Sequence, residues 1–419
     1  MVSTIPRRRA SPGSVIPPDL VVAIWETEHS RTAGVASIRY DALVGACVKR
    51  VVLVGAGHAH LGVLAGAERL ARAGAEVVLV APGIFWYSGL ATGMLGGGYA
   101  AADDVVDPVR FVERAGGRFV RTGVTAITPG ERTLVLGTGE QLTYDLLSLD
   151  VGSEVPSDRV RGAAEYAVLP KPIERLHELR ARLEAGFAER RVVRVTVVGG
   201  GPTGSELAAA VLALAKRAGG RLVLTLVGGA ARLVPRLPAA AGAWLAANLR
   251  RRGAEVRLSA RAAAVEPAVV RLDDGAWIDS DVTILATGLR PPALLAEAGL
   301  PCDAGGAMIV DRSLRCPTYP EIFGAGDCIA FAARALPRAG VYAVRQAPVL
   351  LQNLVAALGG APLADFEPQR RHLLVLNLGD GTGLAVRGTQ WWYGRSAFRV
   401  KDWIDRRWLA RYARVARRA

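Results

Sequence analysis

Three glycine-rich turns and one aspartate are the residues whose types and spacing carry chemistry in this 419-residue chain. A Gly-x-Gly step after an apolar β-branched run lets the backbone turn sharply and approach a pyrophosphate, whose charge meets unpaired N–H groups of the helix that follows. The first copy reads VVLVGAG over residues 51–57, with Gly55 and Gly57 in place; His58 follows, and His60 stands where a third glycine belongs. Alone, this pattern is also ordinary turn chemistry. The second copy is complete: residues 195–206 read VTVVGGGPTGSE, with Gly199, Gly201 and Gly204 in register before an Ala/Leu-rich helix that carries Glu206. The third element, EIFGAGDC at 321–328, ends a short strand in Gly324-Ala325-Gly326 and presents Asp327. A carboxylate there can accept hydrogen bonds from a ribityl chain. A solvated aspartate in a glycine turn is the plain alternative; its distance from the other two motifs, and the LATG run at 285–288 with Thr287 and Gly288, argue against that. The trio implies a redox enzyme that holds FAD and takes electrons from NAD(P)H.

Each motif needs a strand, a tight turn and a helix, so the expected fold is α/β with two Rossmann-like domains, one inserted in the other. An FAD-binding domain is expected over 48–168 and 278–358, interrupted by an NAD(P)-binding domain over 169–277. Residues 359–419 form a small C-terminal β/α part, strands followed by a basic amphipathic helix. Residues 1–47, with Arg7-Arg8-Arg9, several prolines and little periodicity, are expected to be a disordered tail, and an overextended start is the other reading. Composition agrees: 51% hydrophobic and 21% charged residues describe a globular chain of two to three domains. The 26 uncharged positions from 77 to 102 are long enough for a membrane span, yet Pro82 and six glycines would break it. A second Rossmann strand followed by a loop over the flavin is expected instead. Cys47, Cys302, Cys316 and Cys328 show neither pairing nor metal-ligand spacing, so no metal site is expected and a reducing, cytoplasmic setting is favoured. Cys328 is expected to be a small buried packing residue.

The three fingerprints together resemble the pyridine nucleotide-disulfide oxidoreductase superfamily over about residues 48–358. YSGLATGMLGGGY from 87, YDLL at 144, LPKPIERL at 169 and GVYAVRQAPVL at 340 are similar to type II NADH dehydrogenase-like reductases, a module sometimes fused to selenophosphate synthetase. The resemblance implies electron flow from NAD(P)H through FAD to a quinone-type acceptor. Disulfide reductases carry a cysteine pair just after the first βα unit and sulfide:quinone reductases carry redox cysteines further on. Residues 48–301 hold none, which argues against thiol chemistry. The resemblance also implies Tyr342 and Gln346 as acceptor contacts, Lys171 and Ser88 near the flavin ring, and a backbone contact from Val124 to the adenine. Each has a structural alternative: a tyrosine in the core, a glutamine capping a turn, a lysine bridging domains. Two other functions stay open: a soluble NAD(P)H-dependent reductase of a protein electron carrier, and a flavin-bearing assembly or sensor protein without turnover.

Charge is concentrated at the C-terminus. From Arg395 onward there are nine basic and two acidic residues, +7 of the chain's net +14. On a helix Ile404, Trp408, Leu409, Tyr412, Val415 and Ala416 share a face opposite most of the arginines. Such a helix suits the surface of an anionic membrane, here the inner face of the cell membrane; docking on the flavin domain and nucleic-acid binding are the alternatives, and no RNA or DNA module accompanies the charge. A homodimer is allowed. The strand RLVLTLV ends in Gly228-Gly229 without the acid that binds a ribose 2′-OH, and Arg232 follows within reach of the same edge. Weak discrimination or an NADPH preference is therefore expected.

Overall fold

Val51 to Val54 are too apolar to leave either side of a strand in water, and a strand buried on both faces belongs inside a parallel sheet covered by helices. In the computed structural model, which describes residues 48–100, 102, 103 and 105–417, the strand Lys49–Val54 lies at the centre of a five-stranded sheet. Its order is Ile322–Gly324, Leu146–Leu149, Lys49–Val54, Ala75–Ala81, Arg118–Arg121, all parallel. The tail expected over 1–47 lies outside the described residues.

A second parallel sheet repeats the plan, in the order Ala167–Val168, Val282–Leu285, Val192–Val198, Arg221–Gly228, Ala254–Leu258. Its first and last chain segments lie outside residues 169–277, so the inserted unit extends beyond the boundaries expected at both ends. Each unit also carries a three-stranded antiparallel ribbon, at Val124–Thr128, Thr133–Leu136 and Gln141–Thr143 in the first and Ala262–Glu266, Val269–Leu272 and Trp277–Asp279 in the second. Because all five strands of each sheet run one way, the glycine turns fall at one edge of it. The site is assembled there.

The uncharged stretch is a strand, Ala75–Ala81, followed by a helix, Ser88–Leu95, where a loop was expected. Its glycines serve close packing. A Cβ on Gly93 would overlap the Tyr99 ring, and one on Gly96 would lie 3.3 Å from the carbonyl oxygen of Ala210 in the helix Pro202–Ala218.

The C-terminal part is an antiparallel sheet of Leu374–Asn377, Gly383–Arg387 and Gln390–Gly394, then the helix Arg395–Arg417. Here the structure corrects the expectation of a helix that lies on lipid through its apolar face. That face is spent on the protein: Trp408 and Tyr412 are 7% and 4% exposed. Trp408 stacks on Tyr87 with ring centroids 4.5 Å apart, and Tyr412 meets Phe111 edge-on at 6.2 Å. Lys401 donates to Asp405 at 2.7 Å and to the Gly89 carbonyl at 2.6 Å, while the Tyr87 hydroxyl donates to the other oxygen of Asp405 at 2.7 Å. An amphipathic pattern specifies that one face is buried but not against what. A protein surface rich in aromatic rings supplied the partner. The outward face keeps Arg399, Arg406, Arg407, Arg411 and a 39%-exposed Trp403.

Trp408→Ala should therefore lower the unfolding free energy by about 3–5 kcal/mol, the usual cost of emptying a buried tryptophan site. Trp403→Ala should change it by less than about 0.5 kcal/mol. Urea unfolding of the two variants measures the contrast, and equal effects would mean that the helix does not dock through Trp408.

Candidate functional site

Gly55 turns the chain after the first strand with φ +88°, and no side chain fits there because a Cβ would overlap the Asp150 carbonyl. His60, in place of the third glycine, is fully buried and ties the turn together: Nδ1 lies 2.5 Å from the Gly55 carbonyl oxygen and Nε2 lies 2.8 Å from Ser148 Oγ. Burial pushes its pKa down to about 4 against the pull of the Gly55 carbonyl, so the ring is neutral near pH 7. Next to this turn Asp150 projects from the end of the strand Leu146–Leu149. Its Oδ2 accepts from the N–H groups of Ala59 and His60 at 2.8 and 2.9 Å. Burial drives this carboxyl up to about 7 despite those two bonds.

The third motif closes over the same spot. Gly326, at φ +77°, donates its N–H to Gln346 Oε1 at 2.8 Å, and a Cβ on it would overlap Asp150 Oδ1. Asp327 Oδ2 accepts from Ser153 Oγ at 2.7 Å and from Lys171 Nζ at 3.4 Å, and Lys171 also donates to Ser153 at 2.8 Å. Asp327 follows an edge strand of the first sheet and Lys171 follows an edge strand of the second, so this contact joins the C-terminal edges of both sheets. Glu154 and Arg290 reinforce it with paired backbone hydrogen bonds and an ion pair at 2.8 Å. His58 stands beside this cluster, with its ring centroid 4.9, 5.6 and 5.4 Å from those of Phe85, Tyr87 and Trp408. It lies against the first residue of the helix Gly340–Gly359, where a Cβ on Gly340 would be 3.2 Å from Nε2. Burial lowers its pKa to about 4, with Asp327 pulling upward and Lys171 downward.

The second fingerprint folds as a nucleotide cradle. Gly199 sits at φ +133° against the Ala286 carbonyl, and Gly204 abuts the Gly199 carbonyl, so the helix Pro202–Ala218 starts hard against the turn. Beside Gly201 and Gly288 a Cβ would meet nothing within 4 Å, and the Thr287 hydroxyl is buried without a partner among the described residues. That open, polar-lined edge fits a dinucleotide approaching the second sheet.

Several of the expected site residues have partners within the protein. Arg232 donates to the carbonyls of Leu237 at 3.0 Å and Pro235 at 2.5 Å, shaping its own loop. Glu206 accepts the Asn377 N–H at 2.6 Å and joins the second unit to the C-terminal sheet, away from the strand end; burial raises its carboxyl, opposed first by Lys401. Gln346, 1% exposed, holds Gly326 in place. The buried Tyr342 hydroxyl lies 3.3 Å from His372 Nδ1. Gln346 and Tyr342 thus each have a partner within the protein, and Lys171 bridges the units. Ser88 opens its helix with an exposed side chain, and Val124 opens the first antiparallel ribbon. Cys328 is buried, its thiol donating to the Ala325 carbonyl at 3.2 Å and pushed up by burial, as suits a packing residue. Sequence reasoning missed Asp150, Ser153 and His372. Only Asp150 left a signal, an acid directly after an apolar strand.

The residues present fit FAD and a nicotinamide dinucleotide: the first turn gathers two backbone N–H donors at one point, Asp327 offers an acceptor, and the second turn is open. The pyridine nucleotide-disulphide oxidoreductase profile matches residues 49–348. Ferroptosis suppressor protein 1 of Taeniopygia guttata is 28% identical over 281 residues, covering 64% of this chain and 71% of that protein. The type II NADH:quinone oxidoreductase of Mycobacterium tuberculosis is 28% identical over 359 residues, covering 76% and 75%. Among solved structures, NDH2 from Plasmodium falciparum in complex with NADH superposes with TM-score 0.75 at 14% identity, covering 88% of this chain and 98% of that one, which shows a shared fold.

The three shifted groups around the first turn set a pH dependence for the flavin-free protein. Between about pH 4 and 6.5 the unfolded chain protonates His58 and His60 while the folded chain does not, and folded Asp150 keeps a proton that the unfolded chain releases. The unfolded state thus binds one proton more, so these groups make stability fall as pH drops through that window, by about 1.4 kcal/mol per pH unit. Asp150→Asn removes the opposing proton and should about double the slope. Urea unfolding from pH 4.5 to 6.5 decides; a slope that the substitution leaves unchanged would show Asp150 ionised in the folded state.

Proposed function

The chain belongs to the pyridine nucleotide-disulphide oxidoreductase family, and we propose that it carries electrons from NAD(P)H through FAD to a quinone at a membrane surface. The observation that supports this best is the joint of Asp327, Ser153 and Lys171, which brings the nucleotide-binding edges of the two parallel sheets to one place. Two cofactors held at those edges meet at that joint, as ligands do at the carboxyl ends of α/β sheets. FAD bound there would supply two-electron redox chemistry between the nicotinamide and the acceptor, and the net conversion of NAD(P)H and a quinone to NAD(P)⁺ and a quinol takes up one proton from solvent.

The chain's own groups prepare this site in three ways. Asp327 offers a carboxylate to the ribityl chain, held in position by Ser153 and Lys171. The glycine turns admit the pyrophosphates. His58, neutral near pH 7, fills the space between Tyr87, Trp408 and the first residue of the helix Gly340–Gly359 with an aromatic surface and adds no charge.

Among the described residues no helix is long and apolar enough to cross a membrane. With Trp408 and Tyr412 buried, membrane contact falls to the outer face of the C-terminal helix, Trp403 under the Arg407 guanidinium at 5.4 Å with Arg399 and Arg411 beside it. An interfacial tryptophan among arginines suits an anionic leaflet such as the inner face of a cell membrane. For the nicotinamide, Arg261 replaces Arg232 as the group that meets a 2′-phosphate: it lies across Gly229 at the end of the strand Arg221–Gly228, its Cγ 3.2 Å and Cζ 3.8 Å from a Cβ built there.

Asp327→Ala should deplete bound flavin, read as the ratio of flavin to protein absorbance, without loss of the folded circular-dichroism signal; full occupancy would remove Asp327 from the site. Arg261→Ala should lower kcat/KM for NADPH about tenfold or more, equivalent to about 1.4 kcal/mol, and leave NADH unchanged. A variant that loses both equally overturns the assignment. Trp403→Ala combined with Arg407→Ala should weaken flotation with anionic vesicles and leave reduction of a soluble quinone intact. Unchanged flotation would place the membrane contact elsewhere.

A further inference from the structure

Asp150 is a buried acid that the reaction above does not use, and it stands at the point where the first and third fingerprints touch. It is 3% exposed, at the end of the strand Leu146–Leu149. Its carboxyl fills the space that a Cβ would need on Gly57 and on Gly326 alike, so both glycines are required by this side chain. Oδ2 takes the N–H groups of Ala59 and His60, two of the donors that a Gly-x-Gly turn offers to a pyrophosphate. Among the described residues, the groups that face it are His60 from the first turn, Asp327 and Cys328 from the third motif, and Lys171 from the joint between the sheets. Among the described residues no cation is hydrogen-bonded to it.

We propose that Asp150 shares the pyrophosphate seat of the first fingerprint and holds FAD as a neutral, proton-donating carboxyl, so that flavin binding takes up one proton. An ionised carboxylate in the same enclosed seat as a pyrophosphate would set like charges together away from water. Protonated, the same group donates a hydrogen bond to a phosphate oxygen, a short charge-assisted bond. Burial already brings the carboxyl to about 7 before any ligand arrives, so both forms are populated near neutrality and a bound anion selects the protonated one. His58 and His60, both at about 4, titrate well below this range and do not imitate the effect.

This inference rests on the FAD reading, and the experiment separates the two. Flavin-free protein is titrated with FAD from pH 6 to 8.5, following flavin fluorescence, and the binding heat at pH 8 is measured in two buffers of different ionisation enthalpy. The Kd should be level below about pH 7 and rise above it by up to tenfold per pH unit, with close to one proton taken up at pH 8. Asp150→Asn should flatten the titration, and riboflavin, which has no pyrophosphate, should show no slope. A level FAD titration with no proton uptake overturns the proposal while leaving the FAD reading intact, as does an equal slope with riboflavin or in Asp150→Asn. Absence of FAD binding at every pH overturns both. The wild-type slope and proton count decide the matter even where the substituted chain fails to fold.

Discussion

The structure turns on the close approach of two glycine turns to one buried carboxyl. Gly57 and Gly326 are 269 positions apart in the chain, yet each meets the same atoms of Asp150. That approach fixes the edge strand Ile322–Gly324 beside Leu146–Leu149, and through it the third motif beside the first. A side chain larger than hydrogen at either glycine would separate the motifs. Burial of an acid at such a point is costly unless it is neutral or well bonded. Two backbone N–H groups and a pKa raised to about 7 meet that requirement here.

From that centre the electrostatics run outward in order of exposure. His60 and His58 stay neutral because burial disfavours their charged forms more than neighbouring groups favour them. The half-buried Asp327 and Lys171 keep a paired contact, and they lie where the two units meet. At the rim Arg290 pairs with Glu154 and Asp158 at 2.8 and 2.7 Å, exposed ion pairs that contribute little stability individually but orient the backbone bridge between residues 154 and 290.

The C-terminal helix adds a second layer to this arrangement. Its Lys401–Asp405 pair is buried and hydrogen-bonded to Tyr87 and to the Gly89 carbonyl. Removing one partner would leave an unpaired buried charge, which makes this pair a strong specifier of where the helix lies. Trp408 then stacks on Tyr87 beside His58, so the helix forms part of the wall around the first turn. Glu206 ties the helix Pro202–Ala218 to the C-terminal sheet through the Asn377 N–H. The second unit is thus tied both to the first unit, at Asp327 and Lys171, and to the C-terminal part.

The sequence by itself determined the two parallel sheets and the positions of their turns, because apolar β-branched runs that break into glycine have few other uses: Gly55, Gly199 and Asp327 lie just past the strand ends, and Gly204 lies in the first turn of the helix that follows, where their motifs put them. It also pointed to Cys328 as a packing residue, since residues 48–301 hold no cysteine, and the structure buries it. Only the tertiary structure decided what the polar side chains do. Gln346 accepts the Gly326 N–H from 20 residues away, a contact that no local pattern announces. Arg232 could reach a phosphate or its own loop, and the loop was nearer. Local patterns also left the partner of the C-terminal apolar face open, because lipid and a cluster of aromatic rings satisfy the same periodicity. Asp150 was hidden for the same reason. An acid after a strand is unremarkable until the fold brings Gly57 and Gly326 around it, and that encounter between distant segments is written in no single stretch of the chain.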